Sequence, residues 1–117
     1  MPRTSSSEDL SPLTPAVFHI LLALADGEKH GYAIMQEVHT FTGQKMGPGT
    51  LYGTIKRMLK NSLIEEIDER PDPAIDDQRR RYYQITALGQ HAAEAELARL
   101  SRLVEIAQTK QLGSTTG

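Results

Sequence analysis

Gly47-Pro48-Gly49-Thr50-Leu51-Tyr52-Gly53-Thr54-Ile55-Lys56-Arg57-Met58-Leu59-Lys60-Asn61 is the stretch from which the rest of the chain becomes readable. Pro48 suits a first helical turn, where its missing N–H costs nothing, and the spacing predicts a helix from Pro48 to Lys60. At ~100° per residue Leu51, Ile55, Met58 and Leu59 fall in one apolar sector, which belongs against a core. The opposite sector gathers Gly49, Gly53, Lys56, Arg57 and Lys60, with Thr50, Tyr52 and Thr54 at its margins. A glycine inside a helix costs about 1 kcal/mol relative to alanine, so Gly53 on an exposed face exchanges stability for something else. Close approach to another surface is the simplest gain. Small and hydroxylic residues followed by cations suit a helix lying in a major groove, hydroxyls near base edges or phosphates and cations on the backbone.

Outward from this helix the punctuation is regular. Thr14-Pro15 reads as an N-cap and first turn, and Gly27 as the stop of that first helix. Phe18, Leu21, Leu22 and Ala25 form one apolar stripe and Val17, Ile20 and Leu24 a second, which points either to two partners, the domain's own core and another chain, or to a helix buried on most sides. A second helix is expected from His30 to Thr42, carrying Tyr32, Ile34, Met35, Val38 and Phe41, with Gly43 ending it. Downstream, Leu63–Ile67 and Arg81–Ile85 are strand-like, and the polar, Pro-containing segment between them reads as the tip of a β-hairpin. Thr86 then caps a last helix running to about Leu112, about 40 Å at ~1.5 Å per residue. Ala93, Leu97, Leu100, Val104 and Ala107 recur along it at spacings of four and three, with Leu103 and Ile106 widening the seam. A stripe that long needs a second copy to cover it.

Charge agrees once it is placed. The 117 residues carry 13 Lys plus Arg against 15 Asp plus Glu, a formal net charge of −2 that by itself opposes general polyanion binding. Yet no acid lies between Glu37 and Glu65, where Lys45, Lys56, Arg57 and Lys60 fall, and Arg79, Arg80 and Arg81 open a second acid-free run. Glu65, Glu66, Asp68, Glu69, Asp72, Asp76 and Asp77 concentrate acids in the hairpin. The surface is therefore expected to be dipolar, basic where the third helix emerges. The chain has 0 Cys and no apolar run of the ~18 residues that a membrane span requires, so a cytoplasmic protein with no membrane partner is expected.

The order is three helices and a two-stranded hairpin: a mainly α winged helix-turn-helix with a small β wing and a long C-terminal dimerisation helix. It divides into a disordered N-terminal segment 1–12, a DNA-binding domain 13–85, a dimerisation helix 86–112 and a disordered tail 113–117. Leu13-Thr14-Pro15, His30-Gly31-Tyr32, Gly49-Thr50-Leu51-Tyr52, Lys56-Arg57-Met58-Leu59 and Tyr82-Tyr83-Gln84-Ile85-Thr86-Ala87-Leu88-Gly89, in that order, resemble the PadR family of bacterial transcriptional regulators. The likeness runs from about Leu13 to Leu112. It implies a homodimeric repressor of the smaller subtype, with one dimerisation helix, that binds double-stranded DNA through Pro48–Lys60 with Tyr52 and its hydroxylic and basic neighbours at the operator. It also implies a place for a flat lipophilic effector between subunits, looked for near Phe18, Leu97 and Leu100. Two departures stand out: many members have proline where this chain has Gly53, and their wing tip tends to be short and basic where this one is long and acidic. The base of the wing at Arg79, Arg80 and Arg81 is thus the expected DNA contact rather than its tip.

The expected DNA-binding residues are Lys45, Thr50, Tyr52, Gly53, Thr54, Lys56, Arg57, Lys60, Arg79, Arg80 and Arg81. The expected dimer residues are Val17, Ile20, Leu24, Ala93, Leu97, Leu100, Leu103, Val104 and Ala107. No enzyme is expected and no cofactor. His19, His30, His39 and His91 have no metal-ligand spacing, and Gly47-Pro48-Gly49 reads as the start of a helix rather than a phosphate loop. The competing reading is a non-enzymatic protein-interaction module on the same scaffold, which the acidic hairpin favours.

Overall fold

The helix bounds follow the caps. The computed structural model describes residues 12–67 and 81–113. Thr14 Oγ1 accepts from Val17 N at 3.3 Å and Pro15 occupies the first turn of α1, Pro15–Leu24. The chain then turns through Gly27, whose φ of 145° few other residues adopt. His30 Nδ1 caps α2, Gly31–Thr42, by accepting from Ala33 N at 3.2 Å. Gly43 ends α2 in the left-handed region with φ 75°, its N–H donating to His39 O at 2.8 Å. The third helix, α3, spans Pro48–Lys60. The last, α4, spans Ala87–Thr109, and Thr86 Oγ1 caps it by accepting from Gly89 N at 3.0 Å.

Three strands accompany the helices where the sequence predicted two. Lys29–His30 forms β1, Ile64–Ile67 β2 and Tyr82–Ile85 β3, in one antiparallel sheet of order β1-β3-β2. The hairpin register pairs Ile64 with Ile85 and Ile67 with Tyr82, and β1 adds Lys29 opposite Tyr83 and His30 opposite Tyr82. The extra strand ties the wing to the start of α2. Lys29 strengthens that corner, donating to Ala23 O at 2.7 Å and pairing with Asp26 at 2.6 Å.

Ile20, Leu21 and Leu24 of α1, Ile34 and Val38 of α2, and Leu51, Ile55 and Met58 of α3 form the core, closed by Leu63, Ile64, Tyr83 and Ala92. Burial of apolar area on this scale is the main stabilising term for so small a domain. It corrects one expectation. Ile20 and Leu24, expected at a dimer interface, are 0% and 1% exposed inside their own subunit. On a ~100° wheel they share a face with Val17 and Leu21, leaving Phe18 and Leu22 on the opposite side, where Leu22 is 40% exposed. The two stripes do not divide cleanly: Leu21 of the first is buried with Ile20 and Leu24, and Leu22 stands outward. The disorder expected at 1–12 and 113–117, and the hairpin tip, lie almost wholly outside the described residues. Among the described residues no helix is long and apolar enough to cross a membrane.

Candidate nucleic-acid interface

The outward arc of α3 collects Thr50, Gly53, Lys56, Arg57 and Lys60, all exposed, with Lys45 exposed in the turn before it. Among the described residues the ion pairs engage Lys29, Arg81 and Arg99, and none engages Lys45, Lys56, Arg57 or Lys60. Among the described residues, then, these four cations have no carboxylate to displace. The N-cap residue Gly47 supplies no side-chain bond to the first turn, and the helix dipole adds positive potential at that end. A Cβ on Gly53 would meet nothing within 4 Å, so the fold itself does not require a glycine there.

Thr54 is a correction. Expected at the margin of this arc, it is 2% exposed, packed with Leu51, Ile55 and Met58 on the core side of α3. It lies ~40° from Met58 on the wheel, and a small β-branched side chain fits at the edge of an apolar sector. A base contact from Thr54 is excluded by its burial. Thr50, a turn earlier, is the exposed hydroxyl.

Tyr52 lies beside the arc, 40% exposed. With Ile55, Lys56, Leu59, Glu66, Arg81 and Tyr83 it lines a cleft of about 380 Å³ between α3 and the hairpin. The floor is apolar and the rim charged. Burial pushes the Tyr83 phenol above its ordinary pKa, with Glu66 adding to the shift, so it stays a neutral hydroxyl at neutral pH. Arg81 reaches across the hairpin, its Nε 3.6 Å from Glu66 Oε2, with the side chain still 58% exposed. Arg79 and Arg80 lie outside the described residues.

The expected dimer residues on α4 divide. Leu97, Leu103 and Val104 are 56%, 48% and 55% exposed, whereas Ala93, Leu100 and Ala107 are half-buried. Phe18, placed with Leu97 and Leu100 in the effector expectation, packs against the core from α1, as does Val17. Sequence reasoning missed Glu96, buried at 3% exposure. Its Oε1 accepts from Leu13 N at 3.0 Å and its Oε2 from Arg99 at 2.6 Å. The available signal was an acid within an otherwise apolar seam, followed three residues later by an arginine.

Transcriptional regulator Rv3488 of Mycobacterium tuberculosis is 34% identical over 101 residues, which cover 84% of this chain and 90% of that protein. An uncharacterized 37.1 kDa protein in transposon TN4556 of Streptomyces fradiae is 34% identical over 84 residues, 72% of this chain but only 22% of that protein's length. Among solved structures, a PadR family transcription regulator from Clostridium difficile R20291 superposes with a TM-score of 0.71 at 20% identity, covering 84% of this chain and 99% of that one. At that identity the likeness shows the fold, a winged helix. The pattern of the transcriptional regulator PadR-like family itself matches residues 20–95, well over half of the sequence, and the chain belongs to that family of DNA-binding transcriptional regulators.

Proposed function

We propose that the chain is a homodimeric repressor that occupies an inverted-repeat operator, each protomer placing α3 in a major groove. The observation that carries this reading is the outward arc of α3: exposed Thr50, Gly53, Lys56, Arg57 and Lys60 with no carboxylate partner among the described residues. The open space around Gly53 supports close approach to the groove, with Thr50 at base edges, Tyr52 beside it, and Lys45, Lys56, Arg57 and Lys60 on phosphates. Arg79, Arg80 and Arg81 at the base of the wing complete the contact. Exposed Leu97, Leu103 and Val104 on α4, with Leu22 on α1, supply the second copy's seat, and Ala93, Leu100 and Ala107 flank it. Two α3 helices related by a twofold axis meet successive major grooves ~34–36 Å apart, hence an inverted repeat. A small lipophilic effector lodged near Phe18, Leu97 and Leu100 would release the operator.

The test is a footprint on DNA upstream of the protein's own gene, followed by anisotropy titrations at several salt concentrations. Lys56→Ala, Arg57→Ala and Lys60→Ala are each expected to weaken binding to every sequence and to reduce the salt slope by about 1. Three variants with wild-type affinity and slope would remove α3 from the interface. Weak, sequence-independent binding by the wild type would favour the protein-interaction module instead.

A further inference from the structure

Gly31 and Tyr52 belong to different helices and to different sequence motifs, and they meet in the fold. Gly31 is buried at the first position of α2. Its φ is not positive, so backbone conformation does not call for glycine there. The Tyr52 ring does. A Cβ on Gly31 would overlap Tyr52 Oη and come within 2.8 Å of Cζ and 3.0 Å of Cε1. The phenol end of Tyr52 is thus seated over the bare Cα of Gly31, while the side chain remains 40% exposed beside the outward arc of α3.

The preceding residue makes the matching connection to the wing. His30 caps α2, pairs with Tyr82 in the sheet, and sets its ring edge-on to the Tyr82 ring at 5.6 Å and 75°. His30 and Gly31 together join the wing strand, the start of α2 and the exposed tyrosine of α3. A side chain held in one rotamer before binding loses less conformational freedom when a partner arrives.

We infer that Gly31 is a positioning residue for operator recognition: its missing side chain is the notch that holds Tyr52 in the orientation in which α3 presents it to DNA. This rests on the reading of α3 as the DNA-facing helix. With any larger residue at 31 the Tyr52 ring must leave its seat, while Lys56, Arg57 and Lys60, on the outward arc, stay where they are.

The experiment is a double-mutant cycle on the full chain with its footprinted operator: wild type, Gly31→Ala, Tyr52→Ala and the double variant, by anisotropy at several salt concentrations. Gly31→Ala and Tyr52→Ala are each expected to weaken specific binding about tenfold with the salt slope unchanged. The double variant is expected to match Tyr52→Ala alone, because the ring that collides is gone. If Gly31→Ala alone does not fold, the double variant is expected to fold and bind like Tyr52→Ala; failure to recover folding overturns the inference. Losses that add in the double variant, or Gly31→Ala with wild-type affinity, also overturn it. Tyr52→Ala with wild-type affinity overturns it too, and the reading of α3 then stands or falls separately on Lys56→Ala, Arg57→Ala and Lys60→Ala.

Discussion

The two halves of α4 carry the same apolar spacing and meet opposite surroundings. From Ala87 to Glu96 the helix lies on its own domain, with Gly89, Ala92 and Glu96 buried. From Leu97 onward Leu97, Leu103, Val104 and Ile106 are 44–56% exposed, with Leu100 half-buried among them. Periodicity shows that a face must be covered but not by what. Gly89 and Ala92 mark where the helix approaches its own domain closely, but size alone does not draw the line, since Leu88 packs against the core while Leu97, Leu103, Val104 and Ile106 stand clear. Glu96 is the boundary, the last buried residue of α4.

The largest expected effect breaks the outer half. Leu97→Asp with Val104→Asp should take the mass in sedimentation equilibrium from twice 13.0 kDa to 13.0 kDa. Operator affinity should fall about a hundredfold with loss of the linked second site. A dimer that survives both charges would show that the outer half is not the seat of the second copy. In the inner half, a Cβ on Gly89 would overlap Leu63 O and approach Ile85 Cγ1 to 2.9 Å. Gly89→Ala should therefore cost about 2–3 kcal/mol of folding stability in urea titrations.

Glu96→Ala should cost about 2 kcal/mol, because it strands the Leu13 N–H. The Arg99 hydrogen bond holds the Glu96 carboxyl below its ordinary pKa, so its contribution is complete above the unfolded value and is lost as pH falls through the folded one. The urea midpoints of wild type and Glu96→Gln should differ at pH 7, and the gap should close as pH falls below the ordinary carboxylate range. A gap independent of pH would assign the effect to packing. The smallest effect, about 1 kcal/mol, is expected from Thr86→Ala, which removes the cap of the inner half while leaving the dimer mass unchanged.

Most element bounds were legible because each helix is punctuated chemically: Thr14-Pro15, Gly43, Pro48 and Thr86 all act as read. His30, expected as the first residue of a helix, is its cap. The two-residue β1 left no signal, since so short a strand has no periodicity and exists only through its pairing with Tyr82 and Tyr83. On α1, where nearly every residue is apolar, tertiary packing alone decides which stripe faces home, and it chose Ile20 and Leu24. On α3 the exposure of Lys56, Arg57 and Lys60 was readable from the wheel. Thr54 was not, because a hydroxyl at the edge of an apolar sector belongs to either side until the neighbouring helices are in place. The seat of Tyr52 on Gly31 joins residues on two helices that no single-helix pattern relates.

The joint at Thr86 gives α4 mechanical leverage. The Thr86 N–H donates to Leu63 O at 3.1 Å and its hydroxyl to Ser62 O at 2.6 Å, fixing the base of α4 to the turn that follows α3. Beyond Glu96, its last buried residue, the 13 residues Leu97–Thr109 reach about 20 Å. A tilt of about 5° displaces the far end by about 2 Å over that length. Whatever grips the far end of α4 therefore pulls on its packed base and on the Thr86 joint together, and through them on the turn that follows α3.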